Sequence, residues 1–346
     1  MSSFAKALSP AVREIRILCC QSGPASSGTR QFITSHYPTL KQHNPDLPIL
    51  IRQAKGTPAR VFARFGASKG LGLALTKRIL ARGDCVVATA RDTTRFEPLL
   101  SDPNTDRSRI TVLELDITSP TPLVKEIVKK AVGHWGRIDV LVNNAGVGGG
   151  VGPSEEQGLE HMMKVMTTNY GGTVNVTNAV LPYMRERRSG TVLIYGSRTG
   201  YRNEFLGPSP YASSKAAVHS YGETLSAEVA PFNIRVSVVV PGIFDTGLSM
   251  PMVGTPIADY DRAREELRKR VENRHRLPNQ GDPAKGMDAL VDVVKGEGRA
   301  KDKGGVLPLW LFLGSDCLVD VKARADKLKR VAEEWADVGS GLGKDD

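Results

Sequence analysis

Tyr211 and Lys215 stand four residues apart in YASSKAAVHSYGETL, so on a helix they share one face, a turn apart. A phenol with a pKa of about 10 is a poor proton donor or base at neutral pH until a neighbouring ammonium stabilises its phenolate. Such a pair can protonate an oxygen that gains negative charge, or take a proton from a hydroxyl. Ser197 closes the apolar run TVLIYGS, which puts a hydroxyl at the carboxyl end of a strand, where active groups of α/β sheets lie. There it can hold a carbonyl and orient it. Asn169, in TTNYGG, lies further upstream. Tyr170, Tyr201 and Tyr221 have no lysine four residues on and are set aside. Taken alone, Tyr211 reads better as a buried tyrosine beside a surface lysine; the order of all four residues carries the chemical reading.

These side chains need a frame. From Val86 onward, β-branched runs (VVATA, ITVLELD, IDVLVNNAG, TVLIYGS, IRVSVVVPG) alternate with helical stretches such as Leu71 to Arg82 and Pro122 to His134. Continuous apolar runs suit strands buried on both faces, and the alternation predicts a doubly wound parallel sheet of the α/β class, Rossmann-like in layout. Gly66-Ala67-Ser68-Lys69-Gly70-Leu71-Gly72 follows a strand and opens a helix. A pyrophosphate needs close backbone approach and free N–H groups at a helix N-terminus, which glycines permit. The plainer alternative is an ordinary strand-to-helix turn.

The first sixty residues follow another pattern. Glu14 to Cys20 alternates like a strand, Ser26 to Asn44 suits a helix with Phe32, Ile33, Tyr37 and Leu40 on one side, and Pro48 to Arg52 suits a second strand. This segment holds eight Lys/Arg against Glu14 and Asp46, a net +6 out of +10 for the whole 346-residue chain. With the basicity so placed, and no arginine-rich or aromatic-studded tract, nucleic-acid binding is not expected. Cys19, Cys20, Cys85 and Cys317 lack zinc spacing, and a reducing compartment fits them. No apolar run approaches the roughly 20 residues of a spanning helix.

The strand before the glycine turn reads Ala59-Arg60-Val61-Phe62-Ala63-Arg64-Phe65. Alternation sends Arg60, Phe62 and Arg64 to one face and Val61, Ala63 and Phe65 to the other. A central strand covered on both sides must therefore bury Arg64 or let it snorkel.

The G-x-x-x-G-x-G turn, Asn143-Asn144-Ala145-Gly146, and the Asn169, Ser197, Tyr211, Lys215 series together resemble the short-chain dehydrogenase/reductase family over about residues 58 to 340. The chain departs from the family at Phe65, where a threonine usually precedes the first glycine. The resemblance implies an NAD(P)-dependent oxidoreductase interconverting a carbonyl and an alcohol by hydride transfer, without a metal. It implies Tyr211 as general acid/base, Lys215 as its tuner and holder of the nicotinamide ribose, Ser197 on the substrate carbonyl, and Asn169 supporting a water chain to the lysine. It places Gly66, Ser68, Lys69, Gly70, Leu71 and Gly72 at the pyrophosphate, Asp116 and Ile117 at the adenine, and Asn143, Ala145 and Gly146 beside the cofactor. Pro241, Gly242, Ile243 and Thr246 would face the nicotinamide carboxamide. Where NAD-preferring members carry an acidic residue after the second strand, this chain has Ala90 and Arg91, with Lys69 in the turn. Those cations favour NADP(H) over NAD(H), unless both are simply solvated surface residues.

Residues 1 to 65 resemble a truncated complex I alpha subcomplex subunit 2, a small thioredoxin-like accessory protein. Two domains are expected: residues 1–57, a partial thioredoxin-like α/β segment, and residues 58–346, the catalytic domain. Association with mitochondrial complex I through residues 1–57 is the rival reading, with the enzyme as a passenger. Cytoplasm is expected ahead of mitochondria, because residues 1–60 show no Arg/Ser-rich presequence. In the family, a region such as Phe244 to Pro283 forms a substrate lid; its Leu248, Met250, Met252, Val253 and Tyr260 suit a broad, apolar small-molecule carbonyl or alcohol, or else form an amphipathic helix cap. LPLWLFL (307–313) reads as an edge strand or as cover for a subunit interface, so a homo-oligomer is possible.

Overall fold

The computed structural model describes residues 15–19, 27–45, 49–53, 60–65, 68–202, 204–246, 250–273 and 280–343. It divides into two compact units, Met1–Arg60 and Val61–Asp346.

In the first unit β1 (Ile15–Cys19) and β2 (Ile49–Gln53) pair in parallel, joined through α1 (Ser27–His43). The β-α-β order follows the expected pattern; Glu14, Cys20, Ser26 and Pro48 at its predicted ends lie outside the described residues.

The second unit is built on seven described strands: β3 (Val61–Phe65), β4 (Cys85–Ala90), β5 (Ile110–Glu114), β6 (Val140–Asn143), β7 (Gly190–Tyr195), β8 (Ile234–Pro241) and β9 (Trp310–Leu313). They pair in parallel throughout in the order β5-β4-β3-β6-β7-β8-β9. This is the doubly wound Rossmann-like sheet expected, with β9 at the edge. The chain winds one way from β3 to β5 and the other way from β6 to β9, so the topological switch lies between β3 and β6. Ligands of open α/β sheets bind outside the strand ends at such a point.

Both faces are covered, which is why the strands read as unbroken apolar runs. On one face Phe62, Val86, Ala88 and Val239 meet Leu75 and Ile79 of α2 (Gly70–Ala81) and Phe96 and Leu99, the latter in α3 (Glu97–Leu100). On the other, Ala63, Val87 and Val192 meet Val124 and Val128 of α4 (Thr121–Trp135). After β6 come α5 (Ser154–Met166), a π-helical turn at Thr167–Gly171, and α6 (Gly172–Arg187), whose Val176 and Val180 join that second core. So do Val218 and Leu225 of α7 (Ser209–Val229). The first twelve residues of the charged run form α8 (Asp261–Glu272), and α9 (Pro283–Lys295) returns Met287 and Leu290 to the first core.

Arg64 takes the first of its two options: at 0 % exposure it does not snorkel. Its Nη1 donates to the carbonyl of Gly72 in α2, while Nε and Nη2 find no partner among the described residues. Burial lowers its pKa to about 10, a loss slightly opposed by Tyr195. The side chain lies on the Phe62 face, as strand alternation requires.

Candidate active site

Gly70, at the start of α2, and Thr246, in the loop after β8, meet beyond the carboxyl ends of β3 and β8. Gly66 itself lies outside the described residues; Ser68 and Lys69 lead into α2. Lys69, at the N-cap, is extended and makes no side-chain cap, and the first turn carries no acidic residue. The helix therefore offers uncapped N–H groups and the positive end of its dipole. Gly70 has φ of +50°, and a Cβ there would stand 3.1 Å from the Cβ of Thr246. Both the backbone conformation and the close approach require glycine. Leu71 is partly buried against the Phe62 face and Gly72 is buried beneath the turn.

The β6 end supplies the neighbouring wall. Asn143 donates from Nδ2 to Thr177 Oγ1 at 2.8 Å, while its buried Oδ1 has no partner among the described residues. A Cβ on Gly146 would lie 3.0 Å from Asn169 Oδ1 and 3.7 Å from Lys215 Nζ, so both groups close on that position. Ala145 packs against the second core. Pro241 ends β8, and the N–H of Ile243, one residue beyond Gly242, donates to Asp316 Oδ2 at 2.8 Å. An uncapped helix start, an orphaned buried acceptor and glycines at the points of closest approach fit a dinucleotide.

At the β4 end Arg91 is exposed. Asp92, which follows it, is exposed and engaged locally, accepting from Thr94 N at 3.1 Å and from Arg95 Nε at 3.0 Å. Asp116 accepts from the N–H and hydroxyl of Thr118, and these bonds, with the charge of Arg91, lower its pKa despite partial burial. Ile117 is buried in the second core, so only its backbone can face a ligand.

The four expected catalytic side chains come from three elements. Asn169 sits in the π-turn, which breaks the α5–α6 helix run as such turns often do at functional sites. Its Oδ1 accepts from Val147 N at 2.8 Å, and its Nδ2 donates to Val147 O at 3.0 Å and Ser214 Oγ at 2.9 Å. The buried side chain thus clamps the loop after Gly146 to α7. Ser197, just past β7, caps the short turn Arg198–Gly200, accepting from Thr199 N and donating to Thr199 Oγ1, both at 3.2 Å. Tyr211 and Lys215 lie on α7. Lys215 Nζ donates to Tyr195 O at 2.7 Å and stands 5.8 Å from the centroid of the Tyr211 ring. Burial alone brings the Lys215 pKa down to about 8, leaving the ammonium charged at neutral pH. Tyr170 packs edge-on against Tyr221, and Tyr201 stacks beside His219, Trp310 and Phe312.

The sequence reading missed several positioning contacts. Arg198 pairs with Asp320 at 2.5 Å and with Asp316 at 3.4 Å, both on α10 (Ser315–Glu334). Asp316 thereby touches both the turn after Ser197 and the loop at Ile243. Their separation in sequence gave no local signal. His219 did leave one: it continues the row Tyr211, Lys215 at the next interval of four.

Between β8 and α9, residues 251–257 and Arg264 contact residues 151–156. Val253 N donates to Val151 O at 2.9 Å, and Ile257 N donates to Glu156 Oε1 at 2.8 Å. Arg264 of α8 pairs with the same oxygen at 2.5 Å; the Glu156 side chain is 1 % exposed. Met250, Met252 and Tyr260 are within this region, while Leu248 lies outside the described residues.

A doubly wound parallel sheet with α2 opening at its switch point, Ser197 just past β7, and Tyr211 and Lys215 on α7 is an α/β fold of the nucleotide-binding class. Residues 61–255 match the family model described as short chain dehydrogenase, and the chain belongs to that family. Residues 29–68 match the mitochondrial ribosomal protein L51 / S25 / CI-B8 domain, overlapping the first match across β3. A 3-ketodihydrosphingosine reductase of Bacteroides thetaiotaomicron is 36% identical over 185 residues, 53% of this chain and 64% of that protein. Oxidoreductase BOA17 of Botryotinia fuckeliana is 30% identical over 279 residues, 79% of this chain and 95% of the relative. A short-chain dehydrogenase from Streptomyces avermitilis superposes with a TM-score of 0.71 at 32% identity, covering 83% of this chain and all of its own.

Proposed function

We propose that the chain is an NADPH-dependent reductase of small, largely apolar ketones or aldehydes, able to run in reverse on the alcohols. The observation that carries this reading is the buried Lys215 ammonium, fixed on Tyr195 O and held beside the Tyr211 ring. Bound NADPH supplies the hydride. Ser197 Oγ donates to the substrate carbonyl and orients it, exchanging its bond to Thr199 for one to the substrate. Tyr211 donates its phenolic proton to the oxygen as negative charge develops there, and Lys215 stabilises the phenolate left behind. Asn169 keeps the loop at Gly146 and Val147 seated against α7.

Preference for NADPH rests on exposed Lys69 and Arg91, with Asp92 engaged elsewhere. An apolar substrate is supported by Met250 and Met252 in the region after β8, and by a relative named for reducing a ketosphingoid base. Among the described residues no helix is long and apolar enough to cross a membrane. A titration of NADPH and NADH by fluorescence, followed by oxidation of NADPH with a panel of aliphatic and aromatic ketones, tests the reading. Saturable binding and turnover that vanishes in Tyr211→Phe support it; a folded chain that binds neither nucleotide overturns it.

The match over residues 29–68 favours a second role, docking of the first unit on respiratory complex I. Comigration of the full chain with that complex in mitochondrial membranes is expected under this role. Absence of the chain from purified mitochondria removes it and favours the cytoplasm.

A further inference from the structure

We infer that His219 is a positioning residue for Ser197, acting as a neutral hydrogen-bond acceptor that holds the serine's backbone against the helix carrying Tyr211 and Lys215. The inference rests on the proposed oxidoreductase chemistry and extends it.

Its Nε2 accepts from the N–H of Ser197 at 3.2 Å. The ring occupies the space that a Cβ on either Gly196 or Gly200 would need, so glycine brackets the serine turn on both sides of the imidazole. Its centroid lies 5.2 Å from that of Tyr201 in a tilted stack and 5.2 Å from that of Trp310, edge-on. The ring is thus wedged between the serine turn and edge strand β9, and it is fixed to α7 through the backbone. Tyr211, Lys215 and His219 follow at intervals of four along α7, so one rigid helix sets all three against the serine turn. A packing role alone would need no acceptor. Here an apolar ring would leave the Ser197 N–H without its partner beside the reacting centre.

Acceptance at Nε2 fixes the tautomer, with the proton on Nδ1. The surroundings favour the neutral ring: burial first, and the Lys215 ammonium second, lower its pKa to about 4. Tyr201 and Trp310, the other groups against it, carry no charge at neutral pH. A protonated ring would turn an N–H toward the Ser197 N–H and push the hydroxyl out of register with Tyr211.

The full chain with 15N-labelled histidine tests this. The resonance lost in His219→Gln identifies the residue, and its nitrogen pattern at pH 7 must show an unprotonated Nε2. A proton on Nε2 overturns the inference without recourse to any variant. Hydrogen exchange at the Ser197 amide is expected to quicken at least tenfold in His219→Leu and to return within about threefold of wild type in His219→Gln, whose side-chain oxygen can accept from the same N–H. With NADPH and 9,10-phenanthrenequinone as probe, kcat should fall at least tenfold in the leucine variant, with the NADPH Kd within twofold, and recover in the glutamine variant. Equal kcat in the leucine variant, or no rescue by glutamine, overturns it. A wild-type chain that binds no NADPH overturns the oxidoreductase reading instead, and the tautomer and exchange rates still decide whether His219 holds the serine turn.

Discussion

Lys215 Nζ lies 5.8 Å from the centroid of the Tyr211 ring while donating to Tyr195 O, so its charge is fixed between a strand end and the phenol one helical turn away. Removing that charge in Lys215→Met is expected to lower kcat for carbonyl reduction by about 10²–10⁴, the usual range for a lost acid–base function. Tyr211→Phe should do the same, and the double variant should lose little more. Steady-state kinetics of the three variants check this.

Under the proposed mechanism the same ammonium sets a pH limit. Burial brings it to about 8, so above that pH the charge that supports the phenolate is lost, and kcat for reduction should decline. Folding does not confound this. The unfolded lysine titrates near 10.5, so between 8 and 10.5 the unfolded state binds more protons, and stability from this group rises with pH. A kcat profile beside an unfolding profile over pH 6–10 separates the two.

His219 acts in the opposite pH range. Its folded pKa of about 4 against 6.5 in the unfolded chain means that the unfolded state binds the extra proton between those values. Stability therefore falls as pH drops through that window, by about 3 kcal/mol in full. In His219→Gln this part of the acid loss should be absent, as urea unfolding at pH 4, 5, 6 and 7 would show.

Arg64 makes the junction strand costly. Two of its guanidinium nitrogens are buried without partners among the described residues, and its one hydrogen bond goes to the Gly72 carbonyl. Replacing poorly paired buried charge by an apolar side chain of similar length often stabilises by about 1–4 kcal/mol. Arg64→Met is expected to raise the unfolding free energy within that range and leave NADPH affinity unchanged. A loss of stability would show that the bond to Gly72 outweighs desolvation.

Buried Glu156 and half-buried Arg264 form an ion pair that ties α8 to residues 151–156. Glu156→Leu removes both that pair and the acceptor for Ile257 N–H. Exchange across residues 253–264 should accelerate, and stability should fall by less than the roughly 3–5 kcal/mol that breaking a fully buried pair costs, because the arginine left behind reaches solvent. Arg264 also contacts Asp261, which moderates the loss.

The sheet was legible because its strands, buried on both faces, must be unbroken apolar runs, and its helices must carry an apolar stripe. Val86–Ala90, Thr191–Tyr195 and Ile234–Val240 could be read that way, as could the glycine turn before α2. Tyr211 and Lys215 were legible because one helical turn joins them. Arg64 was flagged by alternation, yet which atom would receive its N–H depended on how α2 packs back onto β3. The clasp of Asp316 on Ile243, 73 residues away, could not be foreseen, since no local period links them.

Short-range geometry therefore wrote the fold class, the glycine turn and the tyrosine–lysine pair into the chain, because backbone repeats of two and of about 3.6 residues are properties of neighbours in sequence. Contacts that seat the serine turn, the cofactor loop and the region after β8 were decided by packing of distant segments. Side chains such as His219, Asp316 and Glu156 meet their partners only when those segments come together; burial then sets what losing them would do and, for His219, keeps the ring neutral.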